Sequence, residues 1–357
     1  MTTLARRDDA ELARGFTAWC AQRWPDAGYE ITGFDRPHAG WTNETLIVGL
    51  HAGSAHGSGA PDRRVVVRLP PAVPTWPVYD LRAQAQVIGG LAATAIPVPE
   101  IVAYEPDEQW LGGAFLVMSK EPGRAGPEVP ALDPWVTESS PADQRHVHEQ
   151  FVDLLAAIHR VDWRAAHLED VVRGGERALA NEVGWWVDYV EWAGDGHPTA
   201  ALADAVAWCA ANAPRAEPPA SLCWGDARIG NVLFDDDRAI VAVLDWEQAT
   251  IGPAEMDLAW YLALDELTTY FVKQTVPGFL TRAELVARYE AALGRAVVDL
   301  EWHEIFALVR STAINDRQAR LAAASGVEYP GVAGDKNPVL RVIGRRIDLF
   351  APTRGTP

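Results

Sequence analysis

"LCWGDARIGNVLF" (residues 222–234) is the stretch on which the reading of this chain turns. An apolar run stops at Gly225-Asp226, Asn231 follows five positions later, and the chain then turns apolar again. A second stretch, "IVAVLDWEQA" (240–249), repeats the arrangement, with Asp245 closing a β-like run. Asp and Asn suit turns in any protein, because their short side chains hydrogen-bond nearby backbone. Three of them in order, with strand-like segments between, ask for more than turn chemistry. Phosphoryl transfer needs a carboxylate to accept or orient the proton of an attacking hydroxyl. It also needs an Asn and a second Asp to hold Mg²⁺ on the nucleotide phosphates. Kinase catalytic loops separate the Asp and the Asn by the interval found between Asp226 and Asn231. Asp245 lies one hairpin later, so the three residues can meet at one edge of a cleft.

Working outward, the 357 residues suffice for two lobes, each with its own core. Hydrophobic content of 48% and charged content of 22% describe an ordinary globular chain. "MTTLARRDDAELARGF" lacks the apolar stretch of a secretory leader. No segment approaches the ~20 apolar residues of a membrane-spanning helix, so no membrane partner is expected. Cys20, Cys209 and Cys223 are widely spaced and form neither a disulfide framework nor a zinc pattern. A reducing, cytoplasmic setting follows. The formal charge of −18 argues against a nucleic-acid partner, whose recognition depends on basic patches. The same field attracts cationic ligands, though acidic surfaces also serve solubility alone.

The first third reads as strands. "YEITGFDRPHAGWTNETLIVGL" (29–50) gives two of them around a turn at Gly40–Asn43, and "HAGSAHGSGAPDR" (51–63) is a flexible loop. "RVVVRLP" (64–70), "VPEIVAYEP" and "GAFLVMSKEPG" add three more. The spacing of Leu81, Ala85, Ile88 and Ala92 predicts one helix over 80–93. Beyond a Pro/Gly linker near 119–127 the periodicity becomes helical, with Val147, Phe151, Leu154, Leu155 and Ile158 on one face of 144–163. Further helices are expected at 178–193, 199–212, 255–266, 281–293 and 301–323, around a short β-like block at 221–245. The expected fold is therefore α+β and bilobal: a β-rich lobe (1–119), a hinge (120–127) and a mainly helical lobe (128–357) holding the loop.

The segment "WGDARIGNVLFDDDRAIVAVLDWEQATIGPAEMDLAWYL" (224–262) resembles the aminoglycoside phosphotransferase family, a branch of the protein-kinase-like fold. Within it, the likeness is strongest to the phosphotransferase domains of bacteria and to those associated with acyl-CoA dehydrogenases. The resemblance implies that Asp226 is the catalytic carboxylate and that Asn231 and Asp245 bind Mg²⁺. Asp257, in "EMDLAWYL", would brace the catalytic loop by accepting backbone N–H bonds; a plain helix-start Asp is the alternative. "AGWTNETLIV" looks like the family's nucleotide-covering turn, placing Gly40, Thr42 and Asn43 near the phosphates of ATP or GTP. Arg68 of "VVVRLP" stands where a Lys usually neutralises those phosphates, and a guanidinium can replace it there. Ser119, Lys120 and Glu121 fall at the hinge that would meet the base, with Met118 behind them. His159 occupies a position the family often fills with His and is read as structural.

Two departures stand out. Trp224 replaces the His that usually precedes the Gly-Asp, and its indole can fill that space and donate one hydrogen bond. Gln84 lies where a helix Glu would pair with the basic residue of the strand, turning an ion pair into a hydrogen bond to Arg68. Together they motivate a second reading, a nucleotide-binding pseudokinase, which the intact Asp226, Asn231 and Asp245 oppose. The implied activity is transfer of the γ-phosphate to the hydroxyl of a small molecule. A cationic aminoglycoside, with antibiotic resistance as the consequence, would meet Glu247, Asp265 and Glu266, along with Asp188 and Glu191. A hydroxyacyl compound or another hydroxylated metabolite would instead use an apolar pocket around Trp185, Trp186 and Trp192.

Overall fold

Alternating side chains build the first lobe, in a computed structural model that describes residues 7–37, 43–52, 62–169, 173, 178–215, 218–329 and 331–350. β1 (Tyr29–Asp35), β2 (Glu44–Ala52), β3 (Arg63–Leu69), β4 (Ile101–Glu105) and β5 (Phe115–Ser119) form one sheet in the order β1-β2-β3-β5-β4. Every neighbouring pair in it is antiparallel. Leu46, Val48 and Leu50 of β2 are buried while the residues between them are half-buried, the two-residue period of a strand with one face inward. α1 (Asp9–Arg23) covers that face, packing Leu12, Phe16, Trp19 and Cys20 onto Val65, Val67, Phe115 and Val117. α2 (Leu81–Leu91) takes the opposite face, with Leu81 against Leu116 and Met118. The sheet therefore carries two helices, not the one expected from sequence. α1 was overlooked because its apolar stripe is only four residues set among charges, although Asp8 caps it by accepting from the N–H of Glu11 at 2.9 Å.

A short strand β6 (Arg124–Ala125) and a one-turn helix α3 (Pro134–Thr137) lead into the second lobe. α4 (Pro141–His159), α5 (Ala178–Ala193) and α6 (Ala200–Ala211) precede the loop region. Two small ladders then frame it. β7 (Ala220–Cys223) pairs with β10 (Thr250–Pro253), and β8 (Val232–Phe234) pairs with both β6 and β9 (Ile240–Val243). α7 (Glu255–Val272), α8 (Arg282–Leu293), α9 (Leu300–Ala324) and α10 (Pro338–Phe350) complete the chain. α7 runs six residues past its expected end, and α10 was not foreseen. The β-like block also extends to Pro253, beyond the expected limit at 245. The predicted face of α4 is buried at all five positions, in the large core shared with α5, α7 and α9. The architecture is α+β, a sheet lobe followed by a helical lobe, with the loop of 224–231 held between the two ladders. No described helix is long and apolar enough to cross a membrane.

Candidate active site

The loop after β7 begins with a turn only glycine can make comfortably. Gly225 has φ of +91°, and a Cβ there would lie 2.3 Å from the carbonyl oxygen of Gln248. Asp257, in the first turn of α7, receives the backbone N–H of Trp224 at 2.6 Å and of Gly225 at 2.9 Å. Its Oδ2 also meets Nε2 of His159 at 3.0 Å, and Nδ1 of that ring meets the Tyr289 hydroxyl at 2.6 Å. All of these groups are buried, so the network holds the loop in place. His159, Cys223 and Asp257 stand close enough to share a cation. The donor set argues against one, since Asp257 is spent on N–H groups and burial holds the Cys223 thiol well above its ordinary pKa. The Trp224 indole fills the space ahead of Gly225 and donates to the carbonyl of Leu244 at 2.8 Å.

Asp226 follows, almost fully buried, and both of its oxygens are engaged. Oδ2 accepts from Nδ2 of Asn231 at 2.8 Å and from Nε of Arg228 at 3.0 Å, and Oδ1 accepts from Nε1 of Trp260 at 3.0 Å. Asn231 also donates to the Asp226 carbonyl at 3.0 Å, which commits its amide nitrogen, so its side-chain oxygen is the atom it could offer to a cation. Arg228 is ion-paired to Glu128 as well. Burial works against the Arg228 charge, but the Asp226, Glu128 and Asp245 carboxylates outweigh it and raise its pKa. Arg228 and Trp260 were not singled out from sequence, although both lie inside the quoted motif.

Asp245 lies two residues past the end of β9, with φ of 62°, a left-handed conformation rare for a residue other than glycine. Its neighbour Leu244 donates to the Asn231 carbonyl at 2.8 Å, which ties the two metal-site candidates to one frame. Oδ1 of Asp245 lies 2.8 Å from the Arg68 guanidinium, and Oε2 of Glu247 lies 3.5 Å from it. These carboxylates outweigh the burial of Arg68 and keep its pKa raised. Glu247 also receives the Trp76 indole N–H at 3.0 Å and the Asn43 side-chain amide. Glu247, expected on the acceptor-substrate wall, lines a cavity with Trp185 and Trp246 and also reaches the sheet lobe beside Asp245 and Arg68. It also takes the place expected for Gln84: among the described residues no hydrogen bond joins Gln84 to Arg68, and the Gln84 Oε1 is buried without a partner.

The other expected positions divide. Gly40 and Thr42 lie outside the described residues, whereas Asn43 sits next to Glu247. At the hinge, Lys120 donates its backbone N–H to the Arg64 carbonyl at 3.0 Å, and the Ser119 hydroxyl bonds the Glu121 carboxylate. Met118 is buried behind them. Glu266 pairs with Arg346 of α10, and among the described residues no hydrogen bond or ion pair joins Asp265 or Glu266 to Asp226, Asn231 or Asp245. Asp188 and Glu191 are exposed on α5. A cavity of about 240 Å³ opens beside Glu247, walled by Trp185, Trp246, Val87 and Ala249, with Arg173 and Asp80 at its polar side. Trp186 points away from it into the core, against Arg310.

A sheet lobe over a helical lobe, with an Asp–Asn loop and an Asp at the end of the following hairpin, defines a kinase-like phosphotransferase fold. The chain belongs to the phosphotransferase enzyme (APH) family, whose sequence profile matches residues 34–323. It is similar to a putative aminoglycoside phosphotransferase of Ralstonia eutropha JMP134 of known structure, with a TM-score of 0.66 and 21% identity over 97% of this chain and 96% of that one. A macrolide 2'-phosphotransferase type I aligns with a TM-score of 0.57 and 18% identity over 97% of this chain and 98% of that one. At these identities the likeness is one of fold. The probable acyl-CoA dehydrogenase IBR3 of Arabidopsis thaliana is 25% identical over 77% of this chain and 34% of its own length. The human acyl-CoA dehydrogenase family member 11 is 26% identical over 68% of this chain and 31% of its own length. The chain thus spans about a third of the curated relatives it matches.

Proposed function

We propose that this protein transfers the γ-phosphate of Mg²⁺-bound ATP or GTP to the hydroxyl of a small molecule. The observation that carries the reading is the Asp226–Asn231 pair, braced by Asp257 and joined through Leu244 to Asp245. In this reading Asp226 orients the attacking hydroxyl and accepts its proton. Asn231 and Asp245 would hold Mg²⁺, and Glu247 is close enough to Asp245 to join them. Bound Mg²⁺ supplies neutralisation of the phosphate oxygens. Arg68, beside both carboxylates, would face the phosphates, with Asn43 flanking them. Ser119, Lys120 and Glu121, at the end of β5, would line the base. Catalysis comes from position and charge, as phosphoryl transfer requires.

The acceptor is better read as a compact molecule with an apolar body than as a polycationic aminoglycoside. Glu247 is occupied by Arg68 and Trp76, and Glu266 by Arg346, so two of the expected cation-binding carboxylates are already neutralised. The cavity beside Glu247 has indole walls instead. A hydroxyacyl compound or similar metabolite suits such walls. The deciding experiment is a thermal-shift titration with ATP and GTP, with and without Mg²⁺, on wild type and Asp245→Asn. A Mg²⁺-dependent shift lost in the variant is expected and leads to a screen of hydroxylated acceptors. No shift with either nucleotide leaves a kinase fold without nucleotide chemistry.

A further inference from the structure

Arg310 of α9 is a charge in an unusual place, 2% exposed at the centre of the helical lobe. Its guanidinium donates to the carbonyl of Gly225 at 3.1 Å, and its Nε has no partner among the described residues. It lies over the rings of Trp186 at 5.0 Å and Trp260 at 4.8 Å. Removing a guanidinium from water is costly, and a hydrocarbon of similar size often stabilises a core as well or better. Packing alone is therefore a weak account of Arg310. Two of these contacts have one thing in common. Gly225 immediately precedes Asp226 in the chain, and Trp260 donates to the Asp226 carboxylate.

We propose that Trp260, held by Arg310, is a positioning residue that sets the rotation of the Asp226 carboxylate. Oδ2 of Asp226 is taken by Asn231 and Arg228, while among the described residues Oδ1 receives a single donor, the Trp260 indole. Oδ1 is thus the oxygen with a lone pair left for the acceptor hydroxyl. Donors on both oxygens stop the carboxylate from turning about its Cβ–Cγ bond. The Trp260 bond fixes the angle at which the remaining lone pair is presented. The cation–π contact from Arg310 holds the indole in plane, and the bond to Gly225 holds the backbone from which Asp226 extends. The role rests on the phosphotransferase reading, with Trp260 acting through Asp226 and touching no reactant.

The test compares Trp260→Phe with Trp302→Phe. Trp302 is fully buried in the same lobe and its indole N–H has no partner among the described residues, so its replacement matches the packing loss without removing a described hydrogen bond. The readout is Mg²⁺-nucleotide hydrolysis, with water as acceptor, resolved into kcat and nucleotide KM. Trp260→Phe keeps a ring under Arg310 and is expected to lower kcat about tenfold or more, the loss of one hydrogen bond to a charged group, with KM unchanged. Trp302→Phe is expected to leave both constants near wild type. A Trp260→Phe enzyme with wild-type kcat overturns the inference, as does an equal fall in kcat for Trp302→Phe. A wild type that turns over no nucleotide overturns the phosphotransferase reading and this inference together. Turnover that Trp260→Phe retains overturns this inference alone.

Discussion

Asp226 meets three side-chain donors and offers them only oxygen acceptors. Asp226→Asn preserves the shape but turns one acceptor into an NH₂ group facing another donor, and it removes the proton-accepting charge. Nucleotide turnover is expected to fall by about 10²–10⁴-fold, the usual worth of a positioned acid or base. The thermal midpoint should stay within a few degrees of wild type, and turnover near the wild-type rate would remove Asp226 from its role. Gly225→Ala should behave in the opposite way, as a folding defect. Its φ of +91° strains any L side chain, and the new Cβ would lie 2.3 Å from the Gln248 carbonyl. The strain alone costs about 1–3 kcal/mol, and relieving the clash adds to it. Urea unfolding measures this directly, and a wild-type midpoint would mean that the turn can be rebuilt without glycine.

At the scale of elements, α1 is a helix whose value lies in what it covers. Phe16 is 1% exposed, stacks on Trp19 with centroids 5.3 Å apart, and meets Phe115 of β5 edge-on at 6.3 Å. Phe16→Ala leaves an aromatic-sized hole over the sheet and is expected to cost about 3–5 kcal/mol in urea unfolding. A loss below about 1 kcal/mol would mean that α1 rests on the sheet without supporting it. The ease of reading the elements from sequence followed the length and purity of their patterns. α4 has five apolar residues on one face over nineteen residues, and its face was legible. α1 has four buried residues among charges, so its stripe did not stand out, whereas α10 repeats Leu340, Ile343, Ile347 and Phe350 at helical spacing and was legible but missed. The candidate site divides along the same line. Asp226, Asn231 and Asp245 lie within one short run of the chain, so their spacing suggested one site, and the family resemblance added Asp257. Arg310 reaches Gly225 across 85 positions, and nothing local in α9 marks it. The direction taken by Glu247 was equally hidden, because two residues past Asp245 a side chain can face either lobe until Arg68 and Trp76 are placed.

Over the whole molecule, two buried histidines, His148 and His303, make stability depend on pH. His148 accepts the N–H of Leu280 on Nδ1 at 2.9 Å, so its proton sits on Nε2, toward the Tyr261 hydroxyl at 2.8 Å. A second proton would face the Leu280 N–H. Burial, helped by Arg145, lowers its pKa to about 3. Burial is also the main cause that lowers His303 to about 4, with Arg310 and Arg295 opposing Glu255. Both folded values lie below the unfolded value of about 6.5. The unfolded chain therefore binds protons that the native one refuses. The stability present above about pH 6.5 is lost as pH falls, down to about 4 for His303 and about 3 for His148. The formal charge of −18 acts the other way, since acidification relieves self-repulsion. A raw pH curve mixes the two effects, and a variant in the same background separates them. His148→Gln can keep both hydrogen bonds while losing the titration, and it leaves the overall charge of the native state untouched at neutral pH. It should be less stable than wild type at pH 7, with the gap closing by up to about 1.4 kcal/mol per pH unit below 6.5. Urea unfolding between pH 7 and pH 5 is the measurement, a window above the ordinary carboxylate range. Parallel curves for the two proteins would mean that His148 titrates alike in both states, and that its burial does not set the acid sensitivity of the fold.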